Sequence, residues 1–134
     1  MKLIPVTERE PKEDMRCLAM AKRNDGSIYT VPYAVFYSPG VQLNPPSTVL
    51  TKGFLYHSNV LAWVPWPEHY IDNKLGWILT TKRYPEKADQ YFVSVYTHRG
   101  SKDVRLASYD EKREHFYGCA EDVIAWMKIP KYLT

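Results

Sequence analysis

The chain has 134 residues, of which 45% are hydrophobic, 25% charged and 14% aromatic, with a formal net charge of +3; this describes one ordinary globular domain or two very small units. No apolar run nears the roughly 20 residues that span a bilayer as a helix, and Met1-Lys2-Leu3-Ile4-Pro5 lacks the long apolar stretch of a signal peptide. Cys17 and Cys119 are too few for a disulfide framework, and the basic residues are scattered among acidic ones, as in Asp110-Glu111-Lys112-Arg113-Glu114, rather than gathered on one face as in a typical nucleic-acid binder.

Ten prolines argue against long helices, and 11 tyrosines and 4 tryptophans favour strands. Leu3-Ile4-Pro5-Val6 opens as a short strand, placed at a sheet edge because Pro5 has no N–H for a ladder. Glu8 to Asp14 is a polar loop containing Pro11, and Cys17-Leu18-Ala19-Met20-Ala21 is a short apolar run, read as a buried strand. Asn24-Asp25-Gly26-Ser27 is a hairpin turn, since Asp-Gly tolerates positive φ. Ile28 to Tyr37 is the returning strand, with Val31, Tyr33, Val35 and Tyr37 expected on one face and Ala34 and Phe36 on the other. Pro32 should mark a bulge or an edge. Ser38 to Lys52, with Pro39, Gly40, Pro45 and Pro46, reads as a long exposed loop, a type that is often functional. Phe54-Leu55-Tyr56 and Val60 to Val64 are strands, and Ile71 to Leu75 is a link.

The second half follows the same plan: a strand at Trp77 to Thr80, a polar loop at Lys82 to Lys87, a strand at Tyr91 to Thr97 with Tyr91, Val93 and Val95 on one face, a turn at Arg99-Gly100-Ser101, then strands at Val104 to Tyr109, Phe116-Tyr117 and Val123 to Met127. Val60-Leu61-Ala62-Trp63-Val64-Pro65-Trp66-Pro67 returns as Val123-Ile124-Ala125-Trp126-Met127-Lys128-Ile129-Pro130. Ile4, Arg9, Pro11, Gly26 and Ser27 recur 74 residues later, and Val60, Ala62, Trp63 and Pro67 recur 63 later, so the first copy carries a net excess of 11 residues, assigned to the Ser38–Lys52 loop. Loop-closure entropy grows slowly with length, which makes such an insertion cheap.

These residues, above all Gly76-Trp77-Ile78, Arg83-Tyr84-Pro85-Glu86, Phe92-Val93-Ser94-Val95-Tyr96 and Ala125-Trp126-Met127-Lys128-Ile129-Pro130, resemble the short phage and prophage proteins known as domain of unknown function 551. The first half is similar more loosely, through Ile4, Arg9, Pro11 and Trp63-Val64-Pro65-Trp66-Pro67-Glu68. Met1-Lys2-Leu3 stands where that family has Gly-Trp, and alanine stands where it has a histidine before each closing tryptophan. The resemblance implies a small β-rich fold and a phage or prophage origin, with no established catalytic residue and no cofactor; with only two cysteines, the expected setting is the reducing cytoplasm, here of an infected or lysogenic bacterial host.

Trp63 and Trp126, at matched apolar positions, are expected in the core. Trp66 lies between two prolines where the second copy has Ile129, and with Glu68, His69 and Tyr70 it makes either an aromatic contact surface or packing between the copies. Arg9 and Arg83 correspond, as a structural pair tying each loop to a carboxylate or to carbonyls, or as an anion site with Tyr84 as its stacking aromatic. The four histidines (His57, His69, His98 and His115) show no metal-binding spacing. Cys119, His115 and Asp122 lie near one another in sequence, but nothing there activates the thiol. Cys17 reads as a small buried hydrophobe, and phosphate-loop and nucleophile-elbow motifs are absent.

The expected fold is mainly β (α+β if short helices are present): two pseudo-symmetric antiparallel meander units, residues 1–72 and 76–134, packed as one compact domain. The expected function is non-catalytic engagement of a host protein, as an inhibitor of a defence or regulatory factor. The alternatives are sequestration of a nucleotide-like small anion and binding of single-stranded nucleic acid by aromatic stacking. No membrane, metal or cofactor is expected.

Overall fold

A computed structural model describes residues 2–12, 15–37, 53–54, 59–70, 76–119 and 121–131. The loop expected from Ser38 to Lys52 and the link from Ile71 to Leu75 lie outside the described residues. Ten strands are present among those described: β1 (Ile4–Pro5), β2 (Met15–Lys22), β3 (Ile28–Tyr37), β4 (Gly53–Phe54), β5 (Val60–Pro65), β6 (Ile78–Leu79), β7 (Gln90–Tyr96), β8 (Lys102–Asp110), β9 (His115–Tyr117) and β10 (Val123–Lys128). They form two antiparallel five-stranded sheets, ordered β1-β5-β2-β3-β4 and β6-β10-β7-β8-β9. The protein is all-β, and no helix among the described residues is long and apolar enough to cross a membrane.

The chain divides into two compact units, the first centred on Lys2–Trp66 and the second on Pro67–Pro130. The boundary therefore falls after Trp66. Pro67 to Tyr70 goes with the second unit, where the Tyr70 N–H donates to Ser94 Oγ at 3.0 Å and the Trp77 indole N–H donates to the Glu68 carbonyl at 3.1 Å.

In the first unit β2, β3 and β4 are sequential neighbours, and β5 then returns to lie between β1 and β2. The apolar run of β5 suits that inner place, with Ala62, Trp63 and Val64 all buried, whereas the proline of β1 costs nothing at the edge. The β2–β3 hairpin closes as its residues dictate. The Arg23 N–H donates to the Ser27 carbonyl at 2.8 Å, Gly26 takes φ 90°, and the Asp25 carboxylate accepts from the Ser27 N–H and hydroxyl. The core on one face gathers Cys17, Ala19, Ala21, Val31, Ala34 and Trp63.

The second sheet repeats these features at the offsets read from the sequence. Thr97 and Ser101 close its hairpin as Arg23 and Ser27 do, with Gly100 at φ 78°. Ile4 lies opposite Trp63 and Ile78 opposite Trp126. The bulge that sets Leu61 outside the β2–β5 ladder has its counterpart at Ile124 in the β7–β10 ladder. The second core holds Tyr91, Val93, Val95, Ala107, Tyr109, Phe116 and Trp126, so Tyr91, Val93 and Val95 share a face as their alternation predicts. Between β3 and β4 lie 15 residues (38–52) and between β8 and β9 four (111–114), so most of the excess of the first copy falls in this connection.

One facing expectation fails, at β3. Cys17 pairs with Ala34 and Ala19 with Val31, so Leu18 alone stands opposite both Pro32 and Tyr33. This is the bulge that Pro32 signals. The extra residue reverses the alternation beyond it, so Val31 shares the core with Ala34, and Tyr33 turns outward at 41% exposure. In the second unit β7 and β8 pair without interruption, and Leu106 alone stands between the partners Arg105 and Ala107.

Candidate functional site

Arg9 and Arg83 do the same job in their two units. Each carbonyl accepts the indole N–H of the buried tryptophan, Trp63 at 2.8 Å and Trp126 at 2.9 Å, and each guanidinium lies over that ring, at 5.6 and 5.9 Å from its centroid. The loop is thus tied through its carbonyl, which is why a buried indole can sit here with its one donor satisfied. Both tryptophans are 3% exposed, as expected of core residues.

Trp66 follows β5, and its N–H donates to the Arg16 carbonyl at 3.1 Å. Its ring stacks on Tyr33, with centroids 4.3 Å apart and planes 29° apart, and the Arg16 guanidinium lies 5.7 Å from the Tyr33 centroid. Tyr33 reaches this place because the bulge holds it at φ 57°, a left-handed conformation rare outside glycine. Arg16, Tyr33 and Trp66 thus form one aromatic–cationic group on the first unit. His69 and Tyr70, expected beside Trp66, belong to the second unit and are half-buried. Tyr33 and Arg16 escaped the sequence reading, yet a signal was there: Gly26 and Gly100 are 74 apart, whereas Ala34 and Ala107 are 73 apart, which marks one extra residue between them.

The second unit carries an open cleft of about 560 Å³. Tyr84, from the loop after β6, forms one wall; its ring lies 6.1 Å from Tyr109 at 17° and 6.5 Å from the buried Phe116. The β8–β9 turn and β9 bring Glu114, His115 and Phe116, and the segment leading into β10 brings Cys119, Glu121, Asp122 and Val123. The Asp110 carboxylate accepts the N–H groups of Lys112 and Arg113 at 2.9 and 3.2 Å, which shapes the turn that ends in Glu114. Arg105 is paired with Asp103 and, at 3.4 Å, with Glu121.

No family model, curated protein or solved structure matches the chain.

The chemistry of the cleft follows from its charges. Among the described residues it is lined by three carboxylates and by no lysine or arginine. The Cys119 thiol is pushed up by burial and then by the Glu121 carboxylate, with Arg105 opposing. The Tyr109 phenol is pushed up by burial and then by Glu114. Cys119, His115 and Asp122 do converge on one cleft, but a thiol held above its ordinary value stays protonated near neutral pH and is a poor nucleophile. Among the described residues no three of His, Cys, Asp and Glu are placed to hold a metal ion. Cys17, in the first core, is fully buried with its thiol pushed up to about 11, as befits a small hydrophobe.

Proposed function

We propose that this is a non-catalytic binding protein that occupies a surface of another protein, with Arg16, Tyr33 and Trp66 at the centre of the contact. One observation carries this reading. The two units match in strand order and register, yet two departures of the first unit, the extra residue at the β3 bulge and Trp66 in place of Ile129, meet in one stack. The core cluster that holds Val31 and Ala34 includes neither Tyr33 nor Trp66. A left-handed non-glycine residue costs roughly 1–3 kcal/mol and persists where something else holds it, often at functional sites. Tyrosine, tryptophan and arginine are also the residue types that dominate binding hot spots.

The small size, the two similar units and the resemblance to phage proteins support a mobile-element origin. The host target would then be a defence or regulatory factor, and its inhibition the outcome. The test compares wild-type protein with Trp66→Ala, Tyr33→Gly and Ile129→Ala as baits for host proteins, alongside thermal unfolding of each. The expected result is a partner held by wild type and by Ile129→Ala. Its affinity should fall about 30-fold or more (roughly 2 kcal/mol) in the Trp66 and Tyr33 variants, with melting temperatures close to wild type. If both variants fold and hold the partner as wild type does, the contact surface lies elsewhere.

A further inference from the structure

We propose that the cleft of the second unit binds an organic cation: an alkylammonium or guanidinium group carried on a flexible stem. The site is a cavity of about 560 Å³, within the roughly 300–1,000 Å³ typical of ligand pockets. One wall is the face-stacked Tyr84 over Tyr109, with Phe116 beneath, and Tyr84 is 44% exposed. An aromatic face attracts cations through its quadrupole, and most strongly those whose charge is diffuse and weakly hydrated. The lining also supplies Glu114, Glu121 and Asp122. Nearby Arg105 is already committed to Asp103 and Glu121, so it offers no counter-charge to an incoming anion. Burial is the main cause of the raised Tyr109 phenol and Cys119 thiol; Glu114 adds to the first, and Glu121 adds to the second against the opposing charge of Arg105.

A bare metal ion does not suit the same lining. Among the described residues no three ligand side chains converge as hard-cation coordination requires. A stem of several methylenes fits better, because its head can meet the carboxylates while its length lies along the Tyr84–Phe116 wall. A free polyamine and a lysine or arginine side chain of a protein segment share this chemistry. The inference is independent of the Arg16–Tyr33–Trp66 contact, which belongs to the other unit.

The test is calorimetric titration of the full chain with spermidine, with a capped hexapeptide alternating glycine and arginine, and with its glycine–glutamate counterpart. Saturable binding of at least one cationic probe is expected, weakening as salt rises. It should fall about tenfold or more in Glu114→Gln/Asp122→Asn and in Tyr84→Ala, stay unchanged in Trp66→Ala, and be absent for the acidic peptide. All four altered positions except Trp66 are exposed, so the cleft variants should keep the wild-type melting temperature. Spermidine binding as tightly as the arginine peptide would identify a free polyamine as the source; binding of the peptide alone would identify a protein segment. Failure of both cations to saturate at millimolar concentration overturns the inference. So does binding that survives both cleft variants, or equal binding of the acidic peptide. Loss of partner capture in Trp66→Ala with intact cation binding would separate this site from the protein contact.

Discussion

Replacing Trp126 tests the core of the second unit most directly. Its indole is 3% exposed, stands edge-on to Tyr91 with centroids 5.3 Å apart at 79°, and donates its N–H to the Arg83 carbonyl at 2.9 Å. Trp126→Ala removes the ring, the aromatic pair and the hydrogen bond together, and should destabilise by roughly 3–5 kcal/mol. Within that total the edge-on pair supplies about 0.5–1.5 kcal/mol and the hydrogen bond about 1 kcal/mol. Trp126→Phe keeps a ring against Tyr91 but loses the donor. It should therefore cost roughly 1–2 kcal/mol, the hydrogen bond plus a small cavity. Domains of this size have only about 5–15 kcal/mol to lose, so the alanine variant is expected to be severely weakened. Urea denaturation measures both as shifts in midpoint at constant m. Trp63→Ala and Trp63→Phe should behave alike, because Trp63 has the same burial and makes the same bond to Arg9. An alanine variant within about 1 kcal/mol of wild type would refute the core assignment. A phenylalanine variant as weak as the alanine one would refute the division between ring and donor.

Two further predictions rest on single residues. Tyr33→Gly should be more stable than Tyr33→Ala by about 1 kcal/mol, because only glycine takes φ 57° without strain; chemical denaturation giving the reverse order would show that the bulge backbone is not left-handed. The Cys17 thiol is held protonated to about 11 in the fold, whereas an unfolded thiol ionises near its ordinary value. Its contribution is therefore fully present below about pH 9 and is lost as pH rises towards 11, at up to roughly 1.4 kcal/mol per unit. Denaturation of wild type and Cys17→Ala across that range should give a steeper decline for wild type, and parallel slopes would contradict the burial of the thiol.

Much of the fold was legible in the residues themselves. The Asp-Gly turn at Asp25-Gly26, the alternation of Tyr91, Val93 and Val95, and the apolar runs around Trp63 and Trp126 all found their places, because turn chemistry and side-chain period act over a few residues. The matched offsets went further: they paired Trp63 with Trp126 and Arg9 with Arg83, and each indole bonds the carbonyl of its arginine. Tertiary structure alone decided the rest. That β5 passes between β1 and β2 depends on which distant backbones pair, and backbone hydrogen bonds carry no residue identity. One added residue opposite Leu18 was enough to turn Tyr33 from the core side to the outside, since the strand period is two and any odd insertion reverses it. The acidic cleft needed Tyr84, Glu114 and Asp122, far apart or unremarkable in sequence, to be brought to one cavity by the β8–β9 turn and the approach to β10. Local propensity names the strands. Which strands become neighbours, and which side chains then share a surface, is set by long-range pairing that no short window of residues contains.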